Sequence, residues 1–375
     1  MSGNLKLASA GGGSVTLTPP STASNLTLTL PSATGTVATI AGTETLTNKT
    51  LVASGSNTVE ATSGPTSTQL AGMRNKIING AMLVWQRGTS GFTTNNNYSA
   101  DRWFLSSGGS ITIGARSTDA PTTYKYSLFI VASAYPQVNQ RIESANCNDL
   151  SGGTVIVSFW ARNPTAGTLT LSTQLYYASA SDNFETITSI ATVSNTITTS
   201  WAQYTATFTS LPSGVTNGIQ LSIFGNSGST TAFDITGVQL EKGATATPFE
   251  NRLYGTEFDL CRRYCEVYSG SSEADVIPQG MAQTDVSNRP ETMLQYYLKR
   301  AAPTITVASG TAIIYQTMSN TGVGITGYAG ALVGTGLRGS NLFFNCSSGV
   351  TQATLSAVGY IIFSGSNSIT VSAEL

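Results

Sequence analysis

The sequence predicts an all-β protein in four parts. These are an extended N-terminal β region, a central antiparallel β-sandwich of jelly-roll type, one connecting α-helix and a smaller C-terminal β-sandwich. Three observations predict it. Charged residues are only 10% of the chain, against about 25% in ordinary globular proteins. Thr, Ser, Gly and Val replace them, a composition that suits pleated, half-buried strands. Apolar and polar residues alternate over many short stretches, which puts one side of each on a core and the other in water. Only the stretch after Arg252 changes to a helical period. With 40% hydrophobic and 9% aromatic residues, the chain carries the apolar surface that disordered sequences lack.

Residues 1–72 contain four charged side chains: Lys6, Glu44, Lys49 and Glu60. Ser14–Thr18 and Asn25–Leu30 alternate strictly, with Val or Leu on one side and Thr or Asn on the other, and Pro19, Pro20 and Pro31 punctuate them. One chain has too few apolar residues here to close a core. Copies of the segment are therefore expected to pair with each other or to dock on a larger particle, which also removes free strand edges. Gly64, Pro65 and Gly72 bracket a linker, and residue 72 marks the boundary.

Residues 73–250 carry the central sandwich. Strands are expected at Ser110–Ala115, Thr123–Ser133, Val138–Glu143, Thr154–Arg162, Thr168–Ala178, Trp201–Thr209, Gly218–Phe224 and Ala232–Leu240. Their spacing and their Gly, Ser and Asn turns predict an antiparallel sandwich, with the jelly roll as its form. Trp103, Trp160 and Trp201 are expected in its core.

Residues 251–268 read as the helix. From Thr256, Phe258, Leu260, Cys261, Tyr264, Cys265, Val267 and Tyr268 fall on one half of a helical wheel. Asp259, Arg262, Arg263 and Glu266 fall on the other half. This predicts a helix of about twelve residues, wedged between two β domains or between neighbouring chains. Asp259–Arg263 and Arg262–Glu266 would pair along its wet side. Residues 269–375 follow, with strands expected at Glu291–Lys299, Thr304–Ala308, Thr311–Thr317, Asn341–Cys346, Val358–Phe363 and Ser368–Ala373. Gly322–Gly339 is expected as a long loop.

Composition excludes several functions. The chain has no histidine, which removes Ser-His-Asp and Cys-His hydrolases and His-based zinc sites. A net charge of −1 gives no steering toward nucleic acid or anionic lipid. No apolar stretch suits a membrane span or a secretory signal, so no membrane insertion and assembly in a cytosol are expected. Cys261 and Cys265 read as small core residues. Gly322–Gly339 lacks the strand–turn–helix context and the Gly-Lys-Ser/Thr of a nucleotide loop. Asp182 with Glu185, and Asp101 and Glu143, are the carboxylates that a glycosidase would need in pairs; they read as ordinary loop groups. No catalytic residue, metal or cofactor is expected.

Aromatic residues are the better lead. Tyr176 and Tyr177 are adjacent in a strand, so they point to opposite faces and one of them faces outward. Sugars present apolar C–H faces that stack on aromatic rings, and hydroxyls that amides and carboxylates bond. Tyr176, Tyr177, Asp182, Asn183 and Phe184 are the candidate ligand patch.

Several motifs carry a resemblance. Gly42-Thr-Glu-Thr-Leu-Thr-Asn-Lys-Thr-Leu51 resembles a motif in the shafts and proximal parts of bacteriophage tail fibres. Seven pieces then follow in order. They are Asn75-x-Ile77-Ile78-Asn79-Gly80, Trp85-Gln-Arg-Gly88, Asp101-Arg-Trp103, Ser158-Phe-Trp-Ala-Arg162, Gly237-Val-Gln-Leu-Glu241, Ala246-Thr-Pro-Phe-Glu250 and Leu260-Cys-Arg-Arg-Tyr264. Together they resemble the receptor-binding portion of such fibres, and residues 158–250 also resemble jelly-roll carbohydrate-binding modules. The resemblance covers about residues 1–268. It implies a homotrimer in the virion, joined to other tail or virion proteins through its N-terminal region, that binds a host-surface glycan without catalysis. A structural collar, head-fibre or baseplate adaptor is one alternative; a tailspike polysaccharide depolymerase is another. The modules' structural calcium site draws on an acid soon after the opening Asn-Gly and on one in the last strand. Asp234 matches the second, but Asn79-Gly80 is followed by Ala-Met-Leu-Val-Trp, with no acid.

Overall fold

The computed structural model describes residues 5–8, 10–17, 73–165, 167–269, 276–280, 291–307, 313–317, 322–332, 339–346, 359–363 and 368–375. The chain forms two compact units, Met1–Glu60 and Ala61–Leu375. In the first, β1 (Leu5–Ala8) and β2 (Ser14–Leu17) make an antiparallel hairpin with Leu5 opposite Leu17 and Leu7 opposite Val15. Leu7 is 54% exposed. Asn25–Leu30, the Gly42–Leu51 motif and the linker lie outside the described residues.

The second unit contains the sandwich. One sheet runs in the order β10 (Asn183–Ile197), β9 (Leu169–Ala180), β12 (Ile219–Gly225), β7 (Gln137–Ile142), β4 (Phe104–Ser106) and β3 (Asn97–Tyr98). The facing sheet runs β11 (Ala202–Phe208), β8 (Val155–Arg162), β13 (Thr231–Lys242), β6 (Ser127–Ala132) and β5 (Ile111–Ser117). Neighbours within both sheets are antiparallel, and successive strands from β10 to β13 alternate between the sheets. This is a jelly-roll sandwich. Inward residues of both sheets, among them Leu128, Phe159, Leu175, Leu221 and Phe233, fill the space between them.

Three local readings change. β10 was not anticipated, because register shifts at Asn183/Ile187 and Ser189/Ala191 break its alternation. It is an edge strand, half-wet and bonded only to β9 among the described strands. β6 begins at Ser127 rather than Thr123, because Tyr124 N–H closes a turn onto the Pro121 carbonyl at 2.8 Å. Trp103 is fully buried, but Trp160 and Trp201 are half-buried on the outward side of β8 and just before β11. Trp201 Nε1 donates to Asp119 at 3.0 Å, and the Arg162 guanidinium lies 5.3 Å from its ring.

Asp234, the acid matched to a calcium ligand, instead accepts Arg162 Nε at 2.9 Å. Burial, with Asp119 nearby, pushes its carboxyl up to about 6 from 3.8. The folded chain therefore holds this proton where the unfolded chain releases it. Its contribution to stability is complete below about pH 4 and fades as pH rises through about 6. Burial shifts Asp101 in the same direction. We expect Asp234→Asn to flatten part of the Tm gain between pH 7 and pH 5. An unchanged Tm–pH curve would contradict this assignment.

One α-helix occurs among the described residues, α1 (Tyr254–Arg262), nine residues long. It stops earlier than its apolar pattern predicts. Tyr264 N–H turns back to the Cys261 carbonyl at 2.9 Å, and β14 (Cys265–Ser269) begins at once. There it pairs with β22 (Ser368–Ser372), which also pairs with β17 (Thr304–Val307). Cys265, Val267 and Tyr268 thus serve a strand. Cys261 and Cys265 are both fully buried, as expected. Arg262 pairs with Glu266 at 2.9 Å, although Glu266 stands on β14. Arg263 pairs with Glu143 at 2.9 Å, and Asp259 with Arg262 at 3.5 Å.

A further sheet runs β15 (Val276–Gly280), β21 (Gly359–Phe363), β18 (Ile313–Thr317), β19 (Gly322–Leu332), β20 (Gly339–Cys346) and β16 (Glu291–Gln295). The first eleven residues of the expected Gly-rich loop are β19, paired on both sides. Its pairing with β20 shifts register at Ile325/Gly327 and Tyr328/Gly330. Glycine suits such bulges because it tolerates the local backbone kink.

Candidate functional site

The motifs that resemble fibre proteins converge on the closure of the sandwich. Asn79 takes φ 57°. Its Oδ1 accepts Leu83 N–H at 2.8 Å and Val84 N–H at 3.0 Å. Its Nδ2 donates to the Val84 and Asp101 carbonyls at 2.9 and 3.0 Å, and its carbonyl accepts Trp103 Nε1 at 3.0 Å. Asn75 Oδ1 accepts Leu240 N–H at 3.0 Å, and Glu250 accepts Asn75 N–H at 2.8 Å. Glu241 accepts Gln239 Nε2 at 2.9 Å and Thr247 N–H at 2.8 Å. Arg252 donates to the Ile77 carbonyl at 3.1 Å. Most of these are buried groups satisfying backbone, which is what buried polar groups must do. These motifs report architecture.

The same closure anchors the last residues. Arg102 is 1% exposed, stacks 3.5 Å over the Tyr264 ring, donates to the Arg141 carbonyl at 2.6 Å and pairs with Glu374. Arg87 also pairs with Glu374, at 3.1 Å. The Leu375 carbonyl accepts the Tyr98 hydroxyl at 3.2 Å and Arg141 Nη1.

The five residues singled out from sequence divide between settings. Asp182 takes the left-handed turn between β9 and β10 at φ 57°. Its carboxylate accepts Ser144 N–H at 2.7 Å and lies 3.6 Å from Arg300. Asn183 Oδ1 accepts Glu185 N–H at 3.0 Å, a local turn bond. Phe184 is 7% exposed, with the Arg141 guanidinium 5.2 Å from its ring. Tyr177 points inward and packs on the core. Tyr176 points outward and is half-buried, and burial pushes its phenol up. The structure therefore puts Tyr176 on an outward face that Arg141 links to Phe184. It places Tyr177, Asp182 and Asn183 in packing and turns. Of the other carboxylates, Asp101 is 1% exposed and accepts Gln86 N–H at 2.9 Å. Burial alone would raise Glu143, but the Arg263 guanidinium outweighs it and holds the carboxyl below its usual range.

The outward side of the β10–β9–β12–β7–β4 sheet forms rows. Ser189, Tyr176, Gln220 and Arg141 stand in register across four strands. The next row is Thr192, Gln174, Ser222, Asn139 and Phe104, and then Ser194, Ser172, Phe224, Gln137 and Ser106. Cross-strand bonds tie them. Gln174 donates to Ser189 at 2.9 Å and Ser172 meets Ser194 at 2.9 Å. Ser222 donates to Asn139 at 2.6 Å and Arg141 donates to Gln220 at 3.0 Å. Asn139, Ser172, Gln220 and Ser222 are buried in this network, whereas Gln174, Tyr176 and Phe224 are half-buried and Ser189 is exposed. The outward positions of β4, β7, β9 and β12 hold no carboxylate. Glu374 and Leu375 occupy the Arg141 end. The β9–β10 end is the open one. Sequence reasoning named only Tyr176 here, although the alternation in Ile219–Phe224 and Val138–Ile142 already assigns Gln220, Ser222, Asn139 and Arg141 outward.

No family model matches the chain, and no curated protein matches it. Solved structures give partial matches. A domain of bacteriophage CBA120 tailspike protein 4 is similar at 18% identity with a TM-score of 0.33, over 45% of this chain and 22% of that one. A family 4 carbohydrate-binding module is similar at 19% identity and TM-score 0.31, over 44% of this chain and 98% of the module. A family 61 module solved with β-1,4-galactotriose is similar at 14% identity and TM-score 0.29, over 45% and 99%.

Proposed function

We propose that this chain is a non-enzymatic attachment protein of a phage particle, a trimeric tail fibre or fibre-like appendage that binds a host-surface glycan. The observation that carries the binding reading is the outward face just described. It is an array of amides and hydroxyls held in fixed register, with Tyr176 and Phe224 as rings at its surface and the Arg141 guanidinium at one end. Amides and hydroxyls both donate and accept, as sugar hydroxyls require, and rigid strands preorganise them, which lowers the entropy cost of binding. The ends of copies joined through their N-terminal strands would act together, so weak single contacts add up to avidity. Two features favour binding without catalysis. The outward strands named above hold no carboxylate, and the loop acids Asp182 and Glu143 face Arg300 and Arg263.

Tyr176→Ala combined with Gln174→Ala is expected to weaken glycan binding about tenfold, or about 1.4 kcal/mol, with Tm nearly unchanged. Tyr177→Ala, one residue away but inward, should instead lower Tm and leave the affinity of the folded protein intact. Glycan arrays and inhibition of phage adsorption by the purified protein read this out. Equal binding by the wild type and the Tyr176/Gln174 variant would remove the face from the proposal. An absence of any adsorption block would favour a structural adaptor.

A further inference from the structure

The other sheet of the sandwich turns a second set of rings to the outside. Along β8, Val157, Phe159 and Ala161 belong to the core, so Trp160 and Arg162 face outward, and both are half-buried. Trp160 stands opposite Gln203 of β11. Trp201, immediately before β11, lies beside Arg162, whose guanidinium is 5.3 Å from its ring. The two indoles are thus diagonal neighbours across the β8–β11 pair, roughly 7 Å apart at the backbone. Bonds between side chains fix the frame around them. Asp119 accepts Trp201 Nε1 at 3.0 Å on one oxygen and Arg162 Nη2 at 2.6 Å on the other, while Arg162 Nε donates to Asp234 at 2.9 Å. Trp160 differs. Its indole N–H has no hydrogen-bond partner among the described residues, whereas a buried indole usually finds one. Gln203 beside it is exposed, and the Asp119 side chain is 51% exposed, so both keep capacity for further hydrogen bonds.

We infer that this face is a second saccharide-binding site, and that its ligand is a neutral glycan. The Trp160 and Trp201 rings take the apolar C–H faces of the sugar, Trp160 Nε1 and Gln203 bond its hydroxyls, and Asp119 accepts from them. The site uses no residue of the Tyr176 face, which lies on the opposite sheet, and it does not depend on that face binding anything. Two observations select the ligand. Arg162 is the cation of this cluster, and Asp119 and Asp234 already hold it, so it has no uncompensated charge to offer an acidic sugar. The outward residues of β11 beside the rings are Gln203, Thr205 and Thr207, all exposed. The rings therefore stand among hydroxyls and an amide, without the continuous apolar core of a protein interface. The bonds to Asp119 also hold the Trp201 ring in place before a ligand arrives, which lowers the entropy cost of binding. Sites on both sides of one sandwich would let a single chain engage two stretches of glycan, which adds avidity within the chain.

The test runs the full-length chain in native gels containing a soluble neutral β-glucan, galactan or mannan, with alginate as the acidic comparison. At least one neutral polymer is expected to retard the wild type, and alginate to retard it less. Trp160→Ala should weaken that binding about tenfold. Gln203→Ala, at an exposed position that folding does not need, should weaken it about threefold. Tyr176→Ala with Gln174→Ala should leave the Trp160-dependent part in place. Retardation by none of the neutral polymers, or by alginate alone, overturns the site. Retardation that Trp160→Ala and Gln203→Ala both leave intact, but that the Tyr176/Gln174 variant abolishes, overturns this site and leaves the first face standing. The reverse pattern supports this site and removes the first face.

Discussion

Glu374→Gln is expected to destabilise the second unit by about 3–5 kcal/mol. Glu374 is the carboxylate that both Arg102 and Arg87 reach, and the Arg102–Glu374 side chains are only 1% and 6% exposed. An isosteric amide keeps the volume but leaves two guanidinium charges in a site already removed from water. The cost is that of an uncompensated buried charge, far above the ~1 kcal/mol of a surface pair. Arg102→Met in the same chain should restore part of the loss, because it removes one of those charges. Urea unfolding with an unchanged m-value is the measurement. A loss under about 1 kcal/mol would mean that the site is wetter than its exposure implies.

Gly80→Ala is expected to cost about 3 kcal/mol or more. A Cβ at this position would lie 2.1 Å from the Val238 carbonyl oxygen and 3.2 Å from its carbon. Neither is the end of a flexible side chain. The same two segments are bonded, Val238 N–H to the Gly80 carbonyl at 2.9 Å, so relief of the clash would break the closure of the sandwich. Gly91→Ala is the matched control. It has φ 84° but open space around it, so only the left-handed backbone penalty of about 1 kcal/mol applies. Equal thermal shifts for the two variants would contradict the role given to Gly80.

These two sites also show what the sequence could and could not reveal. Alternation placed most sandwich strands because their inward residues are apolar, as in Val155, Val157 and Phe159. It missed β10, where register shifts at Asn183/Ile187 and Ser189/Ala191 break the period and Asn195 interrupts the inward row of Ala191, Val193 and Ile197. It overextended α1, because Cys265, Val267 and Tyr268 complete a helical stripe yet belong to β14. Only the long-range partner β22 decides between helix and strand. Glycines in Gly322–Leu332 suggested a loop, whereas neighbouring strands on both sides hold them extended. The candidate site was partly legible. Adjacency of Tyr176 and Tyr177 guaranteed one outward ring. Which of them it was depended on the register of β9 against β12, where Tyr176 meets Gln220 and Tyr177 meets Ile219.

The closure around Asn75 has a consequence for how the chain is made. Its bonds join residues 163 and 175 positions apart, Asn75 to Val238 and to Glu250. The Arg102–Glu374 contact spans 272 positions. Contacts of such separation form late, after long loops have lost their freedom. During synthesis, residues 73–77 therefore wait for Val238, Leu240, Glu250 and Arg252 until the chain has passed residue 252, and Arg102 waits longer still for Glu374. Nascent chains arrested between residues 162 and 238 should thus be the most susceptible to proteolysis within residues 73–77, because this segment's partners on β13 and beyond have not yet been made.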